Sequence, residues 1–374
     1  MKQENKKILI TSVHMDIGGI ETVLIEFLKY LCSQNYEIDL ILLKKNGENL
    51  NKIPESVNVY CVEDYISNKL IGNIVKKNNK ISKICRRLFY TKNLAKKSIP
   101  NKKYDVSISF SGYHLFMDLI AGYANAKKKY IWIHTDFALK INNEKSFQKD
   151  FYKEKYKYEL FDKMIYVSRS CMEAFVKLFP EYKNKSDYVW NFIKDKDVKL
   201  KSKEKLLSDG YNIILVGRIV SQKRFDRLAP INDYLIKNGK HPNIYIIGDG
   251  PLKESVMEAT KKFDNIHLLG VKTNVYDYMR EADLLLSTSN YEGLSTVLIE
   301  GLICNCPFVG PDVTGVSDVA LLIAPKNSSI LTKNTNKALA QGVIDAMNGK
   351  INKSFKFDLN IMNEKTKKKI NELL

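Results

Sequence analysis

Short apolar runs recur along this chain, and each is closed by a glycine or polar turn before residues at helical spacing take over. The run from Lys7 to Val13 passes through Gly18 and Gly19 into a segment where Ile20, Val23, Leu24, Phe27, Leu28 and Leu31 share one helical face. Ile38 to Leu43, Val57 to Val62, Tyr104 to Phe110, Tyr130 to Ile133 and Lys163 to Ser168 read as further strands. From Tyr211 the alternation becomes regular. Tyr211 to Val216 ends in Gly217 and Arg218, Asn243 to Ile247 in Gly248, and Asn265 to Leu269 in Gly270 and Val271. Asp283 to Ser287 ends in a polar loop, and Cys306 to Val309 leads to Gly315. Buried strands separated by helices specify doubly wound parallel sheets, so the predicted fold class is α/β.

A chain of 374 residues exceeds the usual size of one core, which predicts two Rossmann-like domains. The link begins near Val189 and continues through the lysine-rich residues 194–210. Asp195 and Asp197 imitate a metal-binding pair there, but a polar linker cannot aim two carboxylates into a pocket, so no metal site is expected. No run of about 18 apolar residues predicts a membrane span. The N-terminal residues lack the apolar core of a signal peptide, and the six scattered cysteines read as reduced, so a cytoplasmic protein is expected. The net charge of +18 could suggest a nucleic-acid binder, but no nucleic-acid-binding motif accompanies it, and no nucleic-acid partner is expected.

The stretch from Asp283 to Gly301 carries the chemistry. A strand enters a polar loop, Gly293 follows, and a helix starts near Ser295. Free N–H groups and the helix dipole make such a junction an anion site. Glu292 stands just before the helix and Glu300 inside it, a Glu-x7-Glu spacing. Elsewhere Arg218 ends a strand and Lys223 follows five residues on, a fork and a point charge suited to phosphate oxygens. His134 and Asp136 close the Tyr130 strand, where α/β ligands bind.

These residues resemble the signature of retaining glycosyltransferases of the GT-B fold, the family 4 (group 1) type. The resemblance is strong over residues 211–318 and weak over 1–190. It implies two Rossmann-like domains facing across a cleft, an acceptor-side domain over 1–188 and a nucleotide-sugar domain over 189–355, with the segment 356–374 crossing back. It implies a metal-independent hexosyltransferase without a cofactor, using a nucleotide-sugar co-substrate, UDP-sugar first among them. The acceptor would be a glycan, lipid-linked in cell-surface polysaccharide or glycoconjugate synthesis. By the same resemblance His134, Arg218, Lys223 and Glu292 would be catalytic. The donor would be held by Gly18, Gly19, Arg218, Lys223, Val271, Glu292, Gly293, Leu294, Ser295, Thr296 and Glu300. Glu292 would take the transferred sugar and Glu300 the ribose. Main-chain N–H groups of Leu294, Ser295 and Thr296 would take the diphosphate, and Val271 would lie by the base. Cys306 departs from the family, which often has glycine there, and is expected to affect packing only. A nucleotide-sugar epimerase of the same fold is the alternative enzyme class.

Residues 68–103 hold twelve Lys or Arg and no acid, with Ile71, Ile74, Val75, Ile81, Ile84, Leu88 and Phe89 as an apolar stripe. Such a segment either lies on an anionic membrane surface or packs its stripe on the sheet with its bases in water. The first reading places the protein at the inner face of the membrane as a peripheral protein. Each base near an anionic surface contributes on the order of 1 kcal/mol, screened beyond about 8 Å at physiological salt. Co-sedimentation with anionic vesicles should therefore be salt-sensitive. It should be lost when Lys76, Lys77, Lys80, Lys83, Arg86 and Arg87 are changed together to Glu; unchanged sedimentation would leave the stretch a solvated face.

Overall fold

In the computed structural model the first apolar run, β1 (Lys7–Ser12), is paired on both sides by parallel strands, and its Ile8, Leu9 and Ile10 are fully buried. The structure describes residues 5–16, 18–64, 92–193 and 205–374. The other strands of this sheet are β2 (Glu37–Leu42), β3 (Asn58–Cys61), β4 (Tyr104–Ser109), β5 (Ala126–Ile133), β6 (Lys163–Tyr166) and β7 (Ser186–Tyr188). They lie in the order β3-β2-β1-β4-β5-β6-β7, and every pairing is parallel. The order reverses between β1 and β4, which puts the loops after β1, β4 and β5 side by side at the carboxyl ends of the strands, where ligands of open α/β sheets bind.

A second sheet follows with β8 (Asn212–Val216), β9 (Asn243–Ile247), β10 (Ile266–Gly270), β11 (Leu284–Leu286), β12 (Phe308–Pro311) and β13 (Ser329–Thr332). Its order is β10-β9-β8-β11-β12-β13, again all parallel, with the switch between β8 and β11. Helices on its faces supply the rest of the core. Helix Asn336–Met347, capped by Thr335 Oγ1 accepting from the Ala338 N–H, buries Leu339, Ala340 and Val343 against Val309 and Leu286. Cys306 is fully buried, so this departure from the family lies in packing.

The chain divides into two units. Unit 1 comprises 1–167, 172–192 and 369–374; unit 2 comprises 168–171 and 193–368. These limits depart from a change at 188/189 for physical reasons. Val189 N–H continues the β7 ladder by donating to the Tyr166 carbonyl at 2.8 Å. Residues 168–171 go with unit 2, where the buried Asp318 carboxylate accepts from the Arg169 N–H at 2.6 Å and the Ser170 N–H at 3.1 Å. The last helix is Leu359–Leu373, starting later than 356, and only its end counts with unit 1. There Lys369 Nζ donates to Asp187 at 2.7 Å, and the Leu373 carbonyl accepts from Lys128 Nζ at 2.9 Å and the Tyr130 hydroxyl at 2.7 Å.

Most of the basic stretch, 68–91, lies outside the described residues, as does the Asp195–Asp197 pair. In the remainder several of the bases pack against the protein itself. Helix Lys92–Lys97 buries Leu94 and Ala95 in the unit 1 core, and Lys92 and Lys96 stand over the Tyr123 ring. Lys102 Nζ pairs with the buried Asp39 at 3.0 Å. Those bases serve the fold.

Gly248, at the end of β9, has φ 147°, and a Cβ there would sit 1.9 Å from the Gly217 carbonyl oxygen at the end of β8. Only the missing side chain lets the two strand ends meet. Gly248→Ala should therefore destabilise the protein by about 1–3 kcal/mol, from strained backbone and forced separation, read as a lowered thermal midpoint. A wild-type midpoint would show that the strand ends have room to part.

Candidate active site

The carboxyl ends of β8, β11 and β12 meet at one carboxylate, Glu292. It is only 7% exposed. Lys223 Nζ, in the loop after β8, donates to Oε1 at 2.7 Å; Gln222 Nε2 donates to Oε2 at 3.2 Å. The Ser289 hydroxyl, on the same loop as Glu292, donates to Oε1 at 2.7 Å. The loop after β12 holds the backbone: Glu292 N–H donates to the Thr314 carbonyl at 3.0 Å. Gly315 has φ 73°, and a Cβ there would press on the Glu292 backbone and Cβ at 2.8 Å. The Asn290 N–H donates to the Gln222 carbonyl at 2.9 Å and the Thr288 hydroxyl to the Lys223 carbonyl at 2.7 Å, locking the two loops together.

Lys223 is thus already neutralised, whereas Arg218, just beyond β8, is exposed and has no ion-pair partner among the described residues. The fork and the point charge expected to act together on phosphate are in different states: one free, the other held by Glu292.

Helix Thr296–Ile303 begins behind this carboxylate. The sequence reading gave the N–H groups of Leu294, Ser295 and Thr296 to an anion, and one of them is corrected. Ser295 N–H is spent on the Gly315 carbonyl at 3.3 Å, because the turn that seats Gly315 against Glu292 brings that carbonyl over it. Leu294 and Thr296 N–H have no backbone acceptor among the described residues. The Ser295 hydroxyl, by contrast, is unspent: the residue is 2% exposed and its Oγ is buried without a hydrogen-bond partner among the described residues. An orphaned hydroxyl at a helix start is a donor awaiting an acceptor. Gly293 is buried in the same turn, and its carbonyl, like that of Glu292, accepts from the Cys171 thiol.

Glu300 lies within that helix, half-buried, with no hydrogen-bond partner among the described residues. Burial pushes its carboxyl up to about 7, with Lys223 pulling the other way. Val271, just after β10, is 72% exposed, an apolar side chain left bare at the same edge of the sheet.

Unit 1 carries the remaining predicted residues at its own carboxyl edge. Gly18 is extended (φ −162°) and caps helix Gly19–Ser33; a Cβ there would strike the buried Glu21 carboxylate at 2.2 Å, while Gly19 faces open space. His134, after β5, packs on the Phe110 ring, with ring centroids 4.8 Å apart. Burial lowers its pKa to about 4, against a raising hydrogen bond to the Phe110 backbone, so the imidazole is neutral. With one nitrogen on that carbonyl, Nε2 is buried without a partner, an acceptor for a hydroxyl. Asp136 has a different role: its carboxylate caps helix Phe137–Asn143 by accepting from the Leu139 N–H at 2.8 Å.

Sequence reasoning missed Gln222, Ser289 and Asp318. Gln222 and Ser289 are ordinary polar residues whose only signal was adjacency to Lys223 and Glu292; Asp318, three residues past Gly315, gave none.

Two doubly wound parallel units, the second with a carboxylate and a cation at the switch point of its sheet, define a protein of the GT-B class. Residues 210–348 match the Glycosyl transferases group 1 family. Over 148 residues it is 29% identical to the Campylobacter jejuni N-acetylgalactosamine-N,N'-diacetylbacillosaminyl-diphospho-undecaprenol 4-alpha-N-acetylgalactosaminyltransferase, covering 39% of this chain and 40% of that protein. Over 125 residues it is 33% identical to the putative teichuronic acid biosynthesis glycosyltransferase TuaC of Bacillus subtilis, covering 32% and 31%. The matches span about half or less of the curated relatives' lengths. The fold extends further. A Staphylococcus aureus TarM variant solved with fondaparinux, alpha-GlcNAc-glycerol and UDP superposes with TM-score 0.72 at 16% identity, covering 98% of this chain and 99% of that one. Anabaena HepE in complex with UDP and glucose gives 0.68 at 15%, covering 98% and 100%.

Glu300 makes stability depend on pH. Folded, its carboxyl titrates near 7 instead of the ordinary 4.5. Both states hold the proton at lower pH, so its stabilising contribution is complete below 4.5. It is lost as pH rises through 7, because the unfolded chain ionises first. Glu300→Gln should abolish this fall and be more stable than wild type at pH 8 by on the order of 2–3 kcal/mol. Parallel stability-versus-pH curves for the two proteins would contradict the assignment.

Proposed function

We propose that this chain is a retaining hexosyltransferase that moves a sugar from a UDP-sugar to a glycan, lipid-linked, in the synthesis of cell-surface polysaccharide. The observation that carries the reading is the buried Glu292, hydrogen-bonded by Lys223, Gln222 and Ser289 in front of a helix start with an orphaned Ser295 hydroxyl. The names of the relatives support the acceptor class: one acts on a diphospho-undecaprenol-linked sugar and another belongs to teichuronic acid synthesis. The UDP in the TarM and HepE complexes supports the donor.

The residues divide the work by chemistry. The departing diphosphate gains charge as the anomeric bond breaks. Arg218 is free to meet it; Lys223 joins by turning from Glu292, which is then released to accept from sugar hydroxyls. The Ser295 hydroxyl donates to a phosphate oxygen. Glu300 accepts from the ribose diol, and Val271 covers the base. The neutral His134 accepts from a hydroxyl of the transferred sugar. With no side chain among the described residues placed as a nucleophile, the acceptor oxygen attacks the anomeric carbon from the face the leaving group vacates and its proton passes to a donor phosphate oxygen, which retains configuration. Fixed cations stand where a divalent metal would otherwise act, so turnover is metal-independent.

Arg218→Ala should lower kcat by roughly 10²–10³, and EDTA should leave wild-type turnover unchanged. Glu292→Gln should abolish most transfer while UDP binds at least as tightly as before, because Lys223 is no longer held. Product analysis across UDP-sugars, with calorimetry for UDP, checks this; dependence on added Mg²⁺, or UDP affinity lost in Glu292→Gln, would reject it.

A further inference from the structure

Unit 1 contains a cavity of about 390 Å³ that the residues above leave unused. It opens between the loop after β4, at Gly112 and Tyr113, and helices Phe137–Asn143 and Lys145–Glu154, which follow β5. This is the carboxyl edge of the sheet beside the β1–β4 switch. The volume lies toward the lower end of the roughly 300–1,000 Å³ of small-molecule sites, room for one or two ring-sized groups.

The lining combines ring faces with charges of both signs. Phe137, Phe147, Phe151 and Tyr158 supply the rings. Lys157, 3% exposed, reaches the lining but is tied to Asp118 at 2.6 Å, with Glu154 at 3.7 Å. Burial alone would lower the Lys157 pKa; Asp118 outweighs that and raises it, so the pair stays ionic. Asp150 and Lys153, exposed and three residues apart on one helix, bring one charge of each sign to the mouth. His114 is neutral, its pKa lowered by burial.

In a chain of net charge +18, a cavity where three carboxylates, the buried Asp118 included, stand beside two ammoniums is unusual ground. An anion meets more acid than base, since Lys153 and Lys157 stand among Asp118, Asp150 and Glu154, and freeing Lys157 would strand the buried Asp118, a costly separation. A purely apolar ligand would bury the donors and acceptors unpaired. A neutral ring with hydroxyls fits both features: its C–H face lies on the negative faces of the aromatic rings, and its hydroxyls serve carboxylates and ammonium.

We propose that this cavity binds the accepting sugar as an uncharged ring and discriminates against acceptors bearing a carboxylate or phosphate on that sugar. The proposal rests on the glycosyltransferase reading above and adds the class of acceptor. Saturation-transfer NMR on the full chain tests it, with neutral methyl hexopyranosides, methyl glucuronopyranoside, glucose 6-phosphate and, separately, UDP as probes. Neutral glycosides should give the stronger signals. Phe147→Ala, at a half-buried ring, should weaken them by roughly fivefold, the equivalent of about 1 kcal/mol. Asp150→Lys, which adds cationic charge at an exposed position, should raise the glucuronoside signal relative to the neutral one, a gain that a folding defect would not produce. UDP signals should survive both substitutions. Equal signals for neutral and anionic sugars, or signals indifferent to both substitutions while UDP still binds, would overturn the proposal. Glycosides binding as described while UDP gives no signal would remove the donor reading alone.

Discussion

The carboxylate of Glu292 is the point on which the second unit turns. Three neighbouring parallel strands have their ends tied together there: Lys223 and Gln222 from the loop after β8 and Ser289 from the loop after β11 donate to the carboxylate, and the Thr314 carbonyl, after β12, accepts the Glu292 N–H. A buried carboxylate is costly unless every lone pair is met, and here the donors come from different loops. Satisfying the charge and assembling the site are therefore one event. The Lys223 ammonium is what makes the buried acid tolerable, so cation and acid are held as one pair.

Behind that carboxylate stands a second buried charge handled differently. Arg227, 4% exposed, forms no ion pair among the described residues. Its guanidinium donates to the side chains of Asn336 and Asn334 and to the carbonyls of Thr288 and Asn334 at 2.6–3.1 Å. Burial lowers its pKa, as does the neighbouring Arg224, but neutral acceptors alone hold it. The fork geometry of arginine suits this use, since five fixed donors can be distributed over several carbonyls. The result braces the Thr288 end of β11 from the side opposite Lys223.

Much of this was legible in the residues. Apolar runs closed by glycine placed the strands, because a parallel sheet covered on both faces demands such runs. Glu292 and Lys223, singled out by the turns near them and by the resemblance, do lie together, and Glu300 was singled out by its spacing from Glu292. What escaped was whatever depends on the meeting of distant loops. That Ser295 N–H faces Gly315, or that Gln222 reaches Glu292, follows from the β11–β12 register and the close approach permitted by Gly315, and no local pattern encodes either. The Asp118–Lys157 pair was invisible for the same reason: thirty-nine residues separate its members, and each alone reads as a surface charge.

The return of the last six residues to unit 1 has a consequence for synthesis. The carbonyl of Leu373 occupies Lys128 and the Tyr130 hydroxyl, and Asn371 accepts from the Tyr30 hydroxyl at 2.6 Å. Chains emerge from the ribosome N-terminus first, and domains fold as they appear. Here Lys128 and Tyr130 of the first unit wait for the Leu373 carbonyl, leaving an unfinished flank, while the whole of the second is made. The nascent protein is thus longest exposed to misassembly at its earliest part, and its final helical turns act as the clasp that closes it.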